Sequence, residues 1–240
     1  MAGTRRRDGR VQTLRSLILV HGAGSGPWVF EGWKPAFAGL QLEAVDLHAG
    51  LNVAEAAMSN YAAVVARAAD SLPRPVALCG WSMGGLAAML AARQAGAERL
   101  VALEPSPPGE VQGFDAGVPL ETGTFDPEQA YGPFPSGVRA RPESRLARSE
   151  RKRGVSLAAL PCPTLVVHGD GFAEERGRAV ARFYCAGERS FPGLDHWGLV
   201  REGRVAAAVA AWLAGEEPLP DAQCEERPAP GGAGMTERED

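Results

Sequence analysis

The sequence predicts an α/β fold, a single domain built on a mostly parallel central sheet with helices on both faces. Three observations lead there. Short unbroken apolar runs alternate with longer stretches whose apolar residues recur at helical spacing, and strands covered on both faces read as continuous hydrophobic runs. The 240 residues are 45% hydrophobic and 22% charged, which suits one full-sized core in an ordinary globular domain. No apolar run approaches the roughly 18 residues that a membrane span requires, so no membrane partner is expected.

The elements follow in order. Residues 17–20 (Leu-Ile-Leu-Val) form the first strand and run into a glycine-rich loop over residues 21–27. A second strand is predicted over residues 40–46, then an alanine-rich helix over 52–72 that ends before Pro73. The third strand covers 76–79, and the helix over 86–94 stops at Gly96. Residues 100–103 and 164–168 are the fourth and fifth strands, 178–184 a helix, 189–191 the sixth strand, and 201–213 the last helix. Ligands of such sheets bind beyond the carboxyl ends of the strands, so the chemistry is sought in the residues that follow each strand.

One segment interrupts the alternation. Residues 105–160 carry many prolines and glycines and then a basic stretch. A structureless loop of that length is uncommon in a compact domain unless it is functional, and a cap insertion over the strand ends is expected. Residues 1–12 are charged without periodicity and residues 216–240 are rich in Pro, Gly and Glu. Both are expected as flexible tails flanking a domain over 13–215. The run Arg5-Arg6-Arg7 invites an export reading, but the apolar stretch behind it is too short for a signal peptide.

Cys79, Cys162, Cys185 and Cys224 lack metal-ligand spacing and read as reduced thiols of a cytoplasmic protein. No metal is expected. Gly22-Ala23-Gly24 lacks the third glycine and the distant acidic residue of a dinucleotide fingerprint, so no cofactor is expected either. The formal net charge of -4 gives no general reason to expect nucleic acid.

Gly80-Trp81-Ser82-Met83-Gly84 matches the pattern G-x-S-x-G. Composition alone would generate that pattern about 0.17 times in such a chain, so its weight comes from context: a strand runs directly into it and a helix directly out. A turn of this kind projects Ser82 above the sheet and leaves the N–H of Met83 on the same side. Serine is a weak nucleophile until a neighbour takes its proton, and histidine is the usual partner. Four histidines are present. His21 lies in the glycine-rich loop, His48 follows the second strand, His168 ends the fifth, and His196 lies in Gly193-Leu-Asp-His-Trp-Gly198 before the last helix.

With these landmarks in order, residues 15–215 resemble the α/β-hydrolase family. The resemblance implies an α/β-hydrolase domain with Ser82 as nucleophile and His196 as general base. It also implies that Leu17-Ile-Leu-Val-His-Gly-Ala-Gly24 is the strand and loop that supply an oxyanion hole, with donors on Ala23 and Met83. The family usually carries its acid in H-G-D-x-D after the fifth strand here. This chain reads His168-Gly-Asp-Gly-Phe172, so Phe172 stands in that place and cannot accept a hydrogen bond. Two substitutes remain open. Asp170 shares the turn, and Glu104 closes the fourth strand, where some haloalkane dehalogenases and lipases carry their acid. The dehalogenase likeness ends at that acid, because those enzymes use aspartate as nucleophile.

Within the expected cap, Phe114, Phe125, Tyr131 and Phe134 would roof an apolar pocket or pin the segment down. Arg141, Arg145 and Arg148 would share a helix face, either solvated or attracting an anionic substrate. The expected function is a serine hydrolase that cleaves an ester, thioester or related small acyl substrate through a covalent acyl-enzyme, acting as a monomer or homodimer. A cofactor-independent lyase or acyltransferase on the same scaffold is an alternative, since pocket rather than fold sets the chemistry. A non-catalytic small-ligand binder is the other.

Overall fold

The computed structural model describes residues 13–216. Residues 1–12 and 217–240 lie outside them, and with them the arginine run at 5–7, Cys224 and all but Glu216 of the tail expected over 216–240. Six strands form one sheet: β1 (Ser16–Val20), β2 (Gln41–Val45), β3 (Val76–Trp81), β4 (Arg99–Leu103), β7 (Thr164–His168) and β8 (Gly187–Ser190). Their order is β2-β1-β3-β4-β7-β8 and every neighbouring pair is parallel. The predicted parallel α/β architecture is what the chain adopts.

The alternation of side chains along the strands divides the core in two. Ile18, Val20, Leu78, Leu100, Ala102 and Val166 point to one face. There they meet α1 (Met58–Asp70), α2 (Met83–Ala91) and α6 (Ala179–Tyr184). Leu17, Leu19, Cys79, Val101, Leu103, Leu165 and Val167 point to the other. That side is covered by a 3-10 segment, Pro27–Phe37, and by α7 (Gly198–Arg201) and α8 (Gly203–Ala214). Each fully buried Leu, Ile or Val side chain contributes about 1.5–3 kcal/mol, which is why unbroken apolar runs specify central strands.

Several elements depart from the sequence expectation. The helix expected over 52–72 begins only at Met58, because the Asn52 side chain accepts from Ala54 N–H and starts a separate short turn, Val53–Glu55. The last helix is split, with Glu202 extended between α7 and α8. Pro27–Phe37 was not anticipated, and it buries Val29, Phe30, Trp33 and Phe37, with Trp33 Nε1 donating to Val200 O at 2.8 Å. Cys79 and Cys162 are free thiols. Cys185 is disulfide-bonded, which corrects the expectation of reduced thiols throughout; nothing in the cysteine spacing marked it for pairing.

Between β4 and β7 lie α3 (Gly109–Gln112), a two-stranded antiparallel ladder of β5 (Thr124–Phe125) with β6 (Glu143–Ser144), α4 (Pro127–Tyr131) and α5 (Arg145–Arg153). This segment touches the loop after β1: Arg141 N–H donates to Gly24 O at 2.8 Å, and Gly24 N–H donates to Glu143 Oε2 at 3.1 Å. Among the described residues no helix is long and apolar enough to cross a membrane.

Candidate active site

The parallel register aligns the strand ends, with Val20 beside Gly80, Trp81 beside Leu103, and Leu103 beside Val167. Backbone pairing extends one residue further, Ser82 N–H to Leu103 O at 3.0 Å and Glu104 N–H to Val167 O at 2.8 Å. Ser82 and Glu104 therefore stand side by side along the carboxyl edge. Both have positive φ, 58° and 37°. Non-glycine residues in such regions cost about 1–3 kcal/mol each and cluster at functional sites.

At Ser82 the chain reverses from β3 into α2. The turn closes only because two flanking residues lack side chains: a Cβ on Gly80 would lie 2.3 Å from Gly84 O, and one on Gly84 would lie 2.2 Å from His21 O. The second approach sets the start of α2 against the loop after β1. Met83 is the first residue of α2, and the leading N–H groups of a helix have no intrahelical acceptor and carry partial positive charge.

His196 lies in the loop before α7. Its Nδ1 is 2.5 Å from Glu104 Oε2, and Glu104 Oε1 accepts Gly169 N–H at 2.7 Å. Glu104 is fully buried, and both its oxygens are engaged. A carboxylate only accepts, so the ring proton resides on Nδ1 and Nε2 retains its lone pair. Burial pushes the imidazole below its ordinary value of 6.5, the Glu104 hydrogen bond and charge pull it up, and the Arg176 charge adds to the lowering. Asp170 is elsewhere: its Oδ2 accepts Gly193 N–H at 2.7 Å.

Trp81 links Ser82 to the imidazole. Its ring is 4.8 Å from that of His196, and its Nε1 donates to His196 O at 3.0 Å. Among the described residues Ser82 Oγ makes no hydrogen bond, to His196 or to any other group. Catalytic hydrogen bonds in ligand-free structures are often long and tighten only in the complex. Phe172, in the family's usual acid position, packs edge-on against the imidazole at 5.2 Å.

In the loop after β1, Leu47 N–H donates to His21 Nε2 at 3.1 Å, which makes Nε2 the acceptor and puts the proton on Nδ1, 2.9 Å from Gly22 O. His21 thus fixes the loop. Ala23 N–H makes no backbone hydrogen bond within the described residues, whereas its neighbour Gly24 N–H is held by Glu143. Glu143 is fully buried and also accepts from Tyr61 OH and from Ser144 N–H at 2.9 Å, with His48 Nε2 at 3.2 Å. Burial alone would raise its carboxyl, but the bonds from His48, Tyr61 and Ser144 outweigh it and hold it at about 2.

His168 bonds Glu188 at 3.0 Å and is remote from the serine in role. The basic face expected from Arg141, Arg145 and Arg148 does not form. Arg141 precedes α5 and pairs with Asp46 at 3.0 Å. Arg145 pairs with Glu121 at 3.6 Å, and Arg148 lies over the Phe125 and Tyr131 rings. Phe134 packs on Trp197, which stacks on Trp28 and touches Trp81. Sequence reasoning missed Glu143 and Arg176. Glu143 acts through Gly24, far away in sequence, and only an acidic residue in an otherwise basic stretch hinted at it; Arg176 stacks on the nearby Phe172, whose place against His196 comes from the fold.

An alpha/beta hydrolase family model matches residues 17–209, and the chain belongs to that family. No curated protein matches it in sequence. Among solved structures it is similar to polyneuridine aldehyde esterase, at 19% identity and a TM-score of 0.58, over 83% of this chain and 99% of the other. It is similar to a methylesterase from Arabidopsis, at 19% and 0.58, over 83% and 97%. It also resembles a thioesterase of the prodiginine pathway in Streptomyces coelicolor, at 20% and 0.55, over 85% and 90%. At these identities the likeness is one of fold.

Proposed function

We propose that the chain is a serine hydrolase acting on an ester, thioester or related small acyl substrate. Ser82 attacks the carbonyl while His196 Nε2 takes its proton, and Glu104 holds the imidazole in the required tautomer and stabilises the imidazolium that forms. The N–H groups of Met83 and Ala23 receive the oxyanion, each such donor being worth about 10²–10³ in rate. His196 then protonates the leaving group, and water releases the acyl group by the reverse path. The observation that carries this reading is the buried Glu104 Oε2 at 2.5 Å from His196 Nδ1, beside a serine held at φ 58° on the adjacent strand end. The lowered His196 value supports it, since a base must be neutral at working pH. The similar folds named above are an esterase, a methylesterase and a thioesterase, which fits acyl transfer to water.

We read residues 105–160 as a cap whose contribution to the site is positional. Its Glu143 ties down Gly24, next to the proposed donor Ala23, and its Phe134 packs on Trp197 beside His196. Turnover of p-nitrophenyl esters together with labelling by a fluorophosphonate tests the reading. Ser82→Ala should abolish both, and undiminished labelling of that variant would remove Ser82 as the nucleophile.

A further inference from the structure

We propose that Arg151 and Arg176 form an anion subsite at the mouth of the Ser82 site, so that the acyl substrate carries a carboxylate of its own. The proposal rests on the hydrolase reading for the word substrate, but the subsite itself rests on the side chains.

Arg151, at the end of α5, donates through Nη1 to Ser106 Oγ and through Nη2 to Tyr131 OH, both at 3.2 Å, and through Nε to Ala147 O at 3.3 Å. All three acceptors are neutral. Ser106 is itself bonded to the proposed nucleophile's residue, its N–H donating to Ser82 O at 2.9 Å. Arg176 lies with its guanidinium 3.9 Å from the centre of the Phe172 ring, the ring that abuts His196. One guanidinium is thus tied to the site through Ser106 and the other through Phe172, and the two are close enough for the charge of Arg151 to act on Arg176.

Neither forms an ion pair. Among the described residues, no carboxylate lies within ion-pair distance of Arg151 or Arg176, whereas Arg141, Arg145, Arg178 and Arg182 pair with Asp46, Glu121 and Glu174. Burial lowers the Arg176 value and the Arg151 charge lowers it further, while the Glu104 and Glu175 charges offset part of that without bonding the guanidinium. Two like charges in a partly desolvated site repel, and an anion between them relieves both the repulsion and the lost solvation. The planar fork of guanidinium matches a carboxylate in two-point geometry, which lysine would not offer. With a formal net charge of -4, the chain has no general attraction for polyanions, so the feature is local.

The test compares mono-p-nitrophenyl glutarate with neutral p-nitrophenyl pentanoate. The wild-type chain should show at least tenfold higher kcat/KM for the glutarate half-ester. That ratio should fall tenfold or more in the R151Q/R176Q double variant and fall less in R151K/R176K, which keeps the charges. A ratio near unity in the wild type, or one that survives R151Q/R176Q, would overturn the proposal. Glutarate binding to the Ser82→Ala protein by calorimetry reads the subsite without catalysis, and it should be lost when the two arginines are replaced by glutamine. If Ser82 is never labelled and neither ester is turned over, the nucleophile reading fails. Arginine-dependent glutarate binding would then still establish the subsite, and its absence would refute it.

Discussion

Replacing Glu104 by glutamine changes one atom of a buried side chain and separates the two candidate acids. The carboxylate accepts from His196 Nδ1 at 2.5 Å and from Gly169 N–H at 2.7 Å. An amide has one accepting oxygen, so it satisfies one partner at the other's expense. With its NH2 toward Nδ1, the imidazole proton must move to Nε2, the atom that has to receive the serine proton. A wrong tautomer of this kind costs about 10⁴ in kcat, or ~5 kcal/mol. With the amide turned round, the tautomer is kept but Gly169 N–H faces a donor, at about 1–3 kcal/mol, and the negative charge that steadies the imidazolium is gone. The expected loss in kcat/KM on an activated ester is therefore between about 10² and 10⁴. Asp170→Asn should cost less than about threefold, because its one bond, to Gly193 N–H, is exposed and an amide oxygen can still accept it. The measurement is steady-state hydrolysis of one p-nitrophenyl ester by both variants, with circular dichroism to verify folding. E104Q retaining more than a tenth of the activity, or D170N losing as much as E104Q, would refute the reasoning.

Other consequences follow from the same geometry. Because His196 is held below 6.5, kcat/KM should fall with decreasing pH through a midpoint under that value, and removal of the Glu104 charge should carry the midpoint lower still; a midpoint above 6.5 in a pH–rate profile would contradict this. Glu143→Ala leaves Tyr61 OH, Gly24 N–H and Ser144 N–H without their acceptor and should lower stability by about 3–5 kcal/mol in urea titrations at neutral pH. Because the folded-state carboxyl is depressed, the stability it contributes is present above its usual 4.5 and lost as pH falls toward about 2, so the gap between variant and wild type should close over that range. Gly84→Ala places a Cβ 2.2 Å from His21 O and 2.4 Å from Val20 O, both backbone atoms that cannot step aside. It should cost several kcal/mol, on the order of 3, and a thermal melt unchanged within error would show that α2 does not approach β1 this closely.

Much of the fold was legible because its determinants are local. Runs such as Leu17-Ile-Leu-Val20 and Leu100-Val-Ala-Leu103 are buried on both faces and have few alternatives to a central parallel strand. The segment over Pro27–Phe37 was not legible, since its proline-interrupted spacing follows neither helical nor strand periodicity. The start of α1 was misjudged because Asn52 fits a helix cap equally well, and the difference is made by Glu150 of α5, which accepts Met58 N–H at 2.6 Å. At the site, the sequence offered Glu104 and Asp170 on equal terms. Only the register of β4 against β7, which sets Glu104 beside Gly169, distinguishes their surroundings. Glu143 is hidden because it reaches Gly24 across the chain; Arg176 stacks on the nearby Phe172, and what no local pattern encodes is the placing of that ring against His196.

The most direct test is to quench a reaction with p-nitrophenyl acetate in acid and weigh the peptide that contains residue 82. The account predicts an acetyl group on Ser82 that builds up in the first turnover, is absent from Ser82→Ala and forms far more slowly in His196→Ala. Hydrolysis that proceeds with no acyl group on that peptide, or with the group on another residue, would contradict it.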